Sequence, residues 1–312
     1  MVGRLCLALW IATALPVASF PVERCVNLSN FLEVQPDQGW AYNFEPSHLQ
    51  TIADAGFDTL RLPLRVGSYW QGDRIDPRFL YLMTSVVEDA QMAGLQVIVD
   101  LHHYEAFISD PVSKGDEFVA IWEALSAHFA GWSGLIFEIV NEPTNAVQTS
   151  QLVPYYRRAL AAIRVHHPEA WVIFGGAYWN HLNELDALPR PDDPRVVHTF
   201  HYYLPFEFTH QQAPWFEKPL PPASWGSTRD IEAVQADMER AAKHHTTLFL
   251  GEFGVYRAAP PADRAAWLNT VREAAETNDI AWCHWGFGAG FGLFDPEVSV
   301  WNTAILDSLI PR

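Results

Sequence analysis

The chain has 312 residues, 49% of them hydrophobic and 18% charged, enough apolar side chain for one large core and no compositional sign of disorder. A formal net charge of −17 repels phosphate backbones and anionic lipid surfaces, which argues against nucleic acid or membrane partners but not against a neutral polymer. The length exceeds that of a usual single domain, yet α/β barrels run this long as one unit.

The first residues, Met1-Val2-Gly3-Arg4, place one positive charge before the apolar stretch Leu5 to Ala12, which is too short to span a bilayer. This pattern predicts a secretory signal peptide over 1–19, with small residues at Val17 and Ser19 and cleavage after Ser19, leaving a catalytic domain over 20–312 and a secreted, extracellular protein. A buried N-terminal helix is the alternative, and Pro16 and Pro21 break the segment on both sides. Cleavage removes Cys6 and leaves Cys25 and Cys283. These fall on the first and last predicted strands, neighbours in a closed barrel, and either pair or remain two buried thiols.

From Cys25 onward, strand-like and helical patterns alternate. Apolar runs lie at Cys25 to Leu28, Thr59 to Leu62, Gln96 to Leu101, Leu135 to Val140, Trp171 to Phe174, Arg195 to His201, Thr247 to Leu250 and Ile280 to Trp285. Between them come amphipathic stretches at Asp76 to Ala93, Asp116 to Phe129, Gln151 to His166, Ile231 to His244 and Ala262 to Glu276. Asp76-Pro77 offers an N-cap with proline at the first helical position, and Gly94 stops that helix. The connection from Tyr203 to Thr228, rich in proline and aromatics, reads as an ordered rim loop. Eight alternations predict an α/β fold, a single-domain (β/α)8 TIM barrel, and no Gly-x-Gly-x-x-Gly follows the first strand to suggest a dinucleotide site.

In such a barrel the active site is built from the C-terminal ends of the strands. Those ends are polar here: Arg61 on the second, Asp100, His102 and His103 on the third, Asn141 and Glu142 on the fourth, His198, His201 and Tyr203 on the sixth, Glu252 on the seventh, Trp285 on the eighth. Glu142 and Glu252, each closing an apolar run, are the pair of carboxylates that glycosidic bond cleavage requires. Asn141 and Glu142 alternate faces in a regular strand, so both reach one cleft only if the pleat breaks, and Pro143 makes that break plausible. Glu138 points into the barrel as a structural group, and Asp100 reads as a support. No Cys/His or His-x-x-x-His pattern suggests a metal, and no cofactor is expected.

Asn141-Glu142-Pro143, Gly251-Glu252-Phe253-Gly254, Asp100-Leu101-His102-His103 and His201-Tyr202-Tyr203 together resemble glycoside hydrolase family 5, the cellulase-type barrels, over nearly the whole mature chain. Asn27 to Glu33 and Gly290 to Asp295 resemble the family's first-strand and post-eighth-strand segments, while Cys25 stands where a glycine is expected. The resemblance implies a retaining enzyme with carboxyls about 5–5.5 Å apart, Glu142 as acid/base and Glu252 as nucleophile. Arg61 would hold Glu252 ionised, Asn141 would donate to the 2-hydroxyl, and His102 and His103 would bind equatorial hydroxyls. His201 and Tyr203 would orient the carboxyls, and Trp285 would stack on the sugar, with Trp285-Gly286 a candidate non-proline cis peptide. Trp40, Trp70, Trp179, Trp215 and Trp225 are candidate sugar platforms. The expected activity is endo-β-1,4-glucanase on cellulose or mixed-linkage glucan by a monomer. β-Mannanase, β-1,3-glucanase, an exo-acting β-glycosidase and a non-catalytic carbohydrate-binding barrel are the alternatives.

Overall fold

Runs of valine, isoleucine, leucine and phenylalanine buried on both faces form eight parallel strands: β1 (Arg24–Asn27), β2 (Thr59–Leu64), β3 (Gln96–Leu101), β4 (Leu135–Glu138), β5 (Trp171–Gly175), β6 (Val196–Tyr202), β7 (Leu248–Phe253) and β8 (Ala281–His284). The structure is a computed structural model that describes residues 19–35, 37–38, 43–144 and 146–311. Trp40 and the predicted signal segment up to residue 18 lie outside the described residues. The strands close in chain order, β8 pairing with β1, into the (β/α)8 barrel that the alternation predicts.

The helix Pro77–Met92 illustrates how sequence sets each outer element. The Asp76 side chain accepts the Arg78 N–H at 2.8 Å, and proline occupies the first turn. Phe79, Met83, Val86, Val87 and Ala90 make one buried stripe at helical spacing, and Gly94 takes φ +87° just beyond the end. Helices Pro111–His128, Thr149–His166, Thr228–Ala241 and Pro261–Thr277 cover the other predicted stretches. Short helices at Ser47–Asp54, Glu105–Ser109 and Thr303–Leu309 were not foreseen. The fifth connection also departs from the alternation: it holds a left-handed turn at Tyr178, Trp179 and Asn180 and a 3-10 segment, Leu182–Ala187, in place of a long helix.

Inside the barrel, side chains change character one pleat up. Cys25, Ile98, Ile136, Ile173, Val197, Phe249 and Cys283 form an apolar floor with Val22 and Trp171. Two residues further along their strands stand Asn27, Asp100, Glu138 and Thr199, all buried. Cys25 and Cys283 are directly paired in register and joined as a disulfide. Asn27, formally part of a glycosylation sequon, is buried and donates to the carbonyls of Gly251 and His284 at 3.2 and 3.1 Å.

Candidate active site

The C-terminal ends of the strands open into a cavity of about 1070 Å³ whose lining includes Glu142, Glu252, His201, Tyr203, His103 and Trp285. Beneath it Arg61 is fully buried and uses its whole guanidinium. Nε and Nη2 donate to the two oxygens of Glu138 at 2.7 and 2.8 Å, and Nη2 also reaches Asn141 Oδ1 at 2.6 Å and Asp100 Oδ2 at 3.0 Å. Nη1 donates to Asn27 Oδ1 at 2.7 Å and to Glu252 Oε1 at 2.9 Å. The other oxygen of Glu252 accepts from the Tyr203 hydroxyl at 2.9 Å. The expected Arg61–Glu252 contact is therefore present, and Glu138 is the structural acid beneath it.

Strand β4 stops at Glu138, four residues before Glu142; Glu142 lines the cleft, while Asn141 is buried just beneath it against Arg61 and His102. Parallel contacts continue past the strand end through Ile139 N–H to the Ile173 carbonyl and Asn141 N–H to the Leu101 carbonyl, both 3.1 Å. Glu142 Oε1 lies 2.6 Å from His201 Nδ1, and Glu252 Oε2 lies 3.6 Å from the same nitrogen. Asn180 Nδ2 sits 3.4 Å from His201 Nε2. An amide donor there makes Nε2 the acceptor and leaves the proton on Nδ1, which donates to Glu142. Burial pushes His201 down to about 4, so the ring is neutral at neutral pH.

An oxygen of Glu142, one of Glu252 and a nitrogen of His201 all lie within 4.8 Å of one another. Burial pushes the Glu142 carboxyl up to about 8, the Arg61 charge opposing it. Burial likewise pushes Glu252 up to about 7, opposed by His201, Arg61 and the Tyr203 hydrogen bond and aided by the charge of Glu142. Gly251 makes room for this constellation: a Cβ there would meet Thr199 Oγ1 at 2.7 Å and His201 Nε2 at 3.0 Å.

The family model for cellulases of glycosyl hydrolase family 5 matches residues 23–290. The chain belongs to that family. Endoglucanase H of Acetivibrio thermocellus is 30% identical over 284 residues, a match that covers 88% of this chain and 30% of that longer protein. Among solved structures, the cellulose synthase subunit Z of Clostridioides difficile superposes with a TM-score of 0.89 at 31% identity, over 93% of this chain and 99% of that one. Cel5A of Thermotoga maritima, solved with mannotriose, superposes at 0.87 with 29% identity, over 92% and 97%.

Within this family 5 barrel, His102 departs from expectation. Its Nδ1 lies 2.6 Å from Asp100 Oδ2 and its Nε2 3.3 Å from Asn141 Nδ2, so both nitrogens are taken by protein groups and none is left for a sugar hydroxyl. It holds Asn141 instead. His103 is the more accessible ring: its side chain is 37% exposed, and it meets His102 edge-on at 4.7 Å. Trp285 is half-buried and stacked on His102 at 5.3 Å, nearly coplanar, and its peptide bond to Gly286 is cis. His198 does not reach the cleft. It pairs with Leu248, the first residue of β7, and contacts His244 at the opposite end of the barrel, because its side chain alternates to the helix side while Thr199 and His201 face inward.

Of the candidate platforms, Trp179 and Trp215 are half-exposed and line the cavity, whereas Trp225 is buried against Phe208 and Trp70 packs on the core. Sequence reasoning missed Asn180, whose amide donates to the Asn141 carbonyl at 2.6 Å, and the aromatic wall of Phe206, His210, Phe216 and Phe291. The density of aromatics between Tyr203 and Trp225 was the available signal for that wall. Asn180 carried none.

Proposed function

We propose that this chain is a secreted, retaining endo-β-1,4-glucanase. The observation that carries the reading is the proximity of the two carboxylates: their nearest oxygens fall within 4.8 Å. Oxygens that close suit direct attack by a carboxylate, for which about 5–5.5 Å between carboxyls is usual.

In the first step Glu252 Oε attacks the anomeric carbon while Glu142, protonated, gives its proton to the departing glycosidic oxygen, so the bond to the leaving sugar breaks as the ester to Glu252 forms. Esterification removes the negative charge of Glu252. The repulsion that helped keep Glu142 protonated is then gone, and Glu142 becomes the base that takes a proton from water as water displaces Glu252. Asn141 keeps one amide proton free once the other meets His102 Nε2, which suits donation to the 2-hydroxyl. His201 holds Glu142, and Tyr203 holds Glu252.

The names of relatives support a β-glucan: Endoglucanase H is one, and Cel5A has been solved with cellobiose. The mannotriose complex of the same protein supports β-mannan as the second reading. A reducing-sugar assay on carboxymethyl cellulose, lichenan and mannan decides between them, with viscosity loss outpacing sugar release if the mode is endo. Binding to these polymers without hydrolysis would favour the binding-only barrel. Export is supported by the charged and apolar pattern of 1–19 and by the Cys25–Cys283 disulfide, which suits an oxidising compartment. Mass spectrometry of the exported protein should give an N-terminus at Phe20.

A further inference from the structure

Three histidines meet at the end of the barrel opposite the cleft. His198 is the third residue of β6 and fully buried; His244 and His245 lie between the helix Thr228–Ala241 and β7, the first half-buried and the second exposed. One ring nitrogen from each lies within 4.8 Å of the other two. His198 Nδ1 and His244 Nε2 are 2.7 Å apart, and the rings of His244 and His245 are 4.0 Å between centroids.

We propose that His198, His244 and His245 form a binding site for a divalent transition-metal ion of the zinc, nickel or copper class, outside the active site and structural in effect. Three imidazoles are the ligand set such ions prefer, and hard cations such as calcium or magnesium take oxygen ligands instead. Each neutral imidazole has one lone pair and one N–H, and the 2.7 Å contact places an N–H between His198 Nδ1 and His244 Nε2, so ligation requires the donor ring to carry its proton on its other nitrogen. Competition is slight, since among the described residues His198 Nδ1 is engaged only by His244 and its Nε2 has no hydrogen-bond partner. Ligation at about 2.0–2.1 Å requires tetrahedral nitrogens about 3.3 Å apart. The 2.7 Å pair must therefore open slightly and the exposed His245 must swing in, both within the reach of side-chain rotation.

Such an ion would pin β6 to the turn that leads into β7. Residues at this end of a barrel act on stability and not on chemistry. One complication is specific: Glu142, His201 and Glu252 also bring three ligand atoms within 4.8 Å, so the same ions can enter the cleft and inhibit. The two sites separate by mutation.

The test uses tag-free, chelator-treated protein titrated with zinc or nickel chloride at pH 7.5, followed by calorimetry and thermal unfolding. At a concentration a hundredfold above Kd, the unfolding midpoint should rise by about 5 °C or more. His245→Ala, with a metal-free midpoint matching that of the parent, should lose that rise, and Glu142→Gln should keep it. No rise in the parent, or a rise that survives His245→Ala, overturns the proposal. Loss of the rise in Glu142→Gln alone would place the ion in the cleft and overturn it equally.

Discussion

Replacing Tyr203 with phenylalanine removes one oxygen and one hydrogen bond. The phenol donates to Glu252 Oε2 at 2.9 Å, and without it that oxygen keeps only His201 Nδ1 at 3.6 Å, while Arg61 still holds Oε1 at 2.9 Å. A hydrogen bond to a charged group contributes about 1.5–3 kcal/mol, and one pKa unit is about 1.4 kcal/mol. Donation to the carboxylate favours its charged form, so its loss raises Glu252 above about 7 by roughly one to two units. With Glu142 raised further than Glu252, the singly protonated pair of the parent favours the productive arrangement, proton on Glu142. In Tyr203→Phe that preference weakens or reverses. The maximum of kcat/KM should drop about two- to tenfold, and the acid limb should move up by about one pH unit. Initial rates on a soluble aryl β-cellobioside below KM, from pH 4.5 to 9.5, measure both quantities. A profile that superimposes on that of the parent would refute the claim that this bond sets the ionisation of Glu252.

Glu142→Gln and Glu252→Gln should each lower polysaccharide hydrolysis by about a thousandfold or more; with an aryl glycoside whose leaving group needs no proton, Glu142→Gln should still show a burst of released phenol and Glu252→Gln none. Arg61→Met strands Asp100, Glu138 and Glu252 in the interior without their cation and should cost about 3–5 kcal/mol, a fall in Tm on the order of 10 °C by calorimetry. Glu33, Asp100, Glu142 and Glu252 are all raised in the folded state, to about 7, 7, 8 and 7, chiefly by burial. The folded protein therefore keeps protons that the unfolded chain releases above about 4.5, so their contribution is present at pH 4.5 and is lost as pH rises towards 8. Tm should fall over that window, and Glu33→Gln should flatten the slope. Reduction of Cys25–Cys283 should destabilise by about 2–4 kcal/mol, read as a lower urea midpoint in the presence of dithiothreitol.

The barrel was legible because parallel strands buried on both faces read as unbroken apolar runs, and the candidate site was legible in so far as its residues follow those runs directly. The limits were local. Ile139 and Val140 are apolar and buried, so composition could not reveal that β4 ends at Glu138. His198 was misplaced for a reason the sequence did contain: three positions from His201, it falls on the other face of a regular strand. His102 could not have been read, since its role depends on Asp100 Oδ2 and Asn141 Nδ2 taking its two nitrogens. The left-handed turn at Tyr178 to Asn180 contains no glycine. Its partners are tertiary, the Trp179 N–H donating to the Pro143 carbonyl at 2.9 Å and the Asn180 amide to the Asn141 carbonyl.

The division of labour proposed for the two glutamates follows from one guanidinium set among four carboxyls. Arg61 touches Asp100, Glu138 and Glu252, and none of its hydrogen bonds goes to Glu142. In a site of low dielectric one cation cannot balance four anions, so protons must remain, and they remain where the local stabilisation of charge is weakest. Glu138 has two hydrogen bonds from the guanidinium, and Glu252 has one from it and one from a phenol. Glu142 has a neutral imidazole, and its side chain is 26% exposed to the cleft where a glycosidic oxygen would arrive. The group best placed to keep a proton is thus the group open to the substrate. Exchanging the two proposed roles would require moving Arg61, whose position is fixed by β2, Asn27 and Glu138 together, so the proposed assignment rests on the barrel below the cleft.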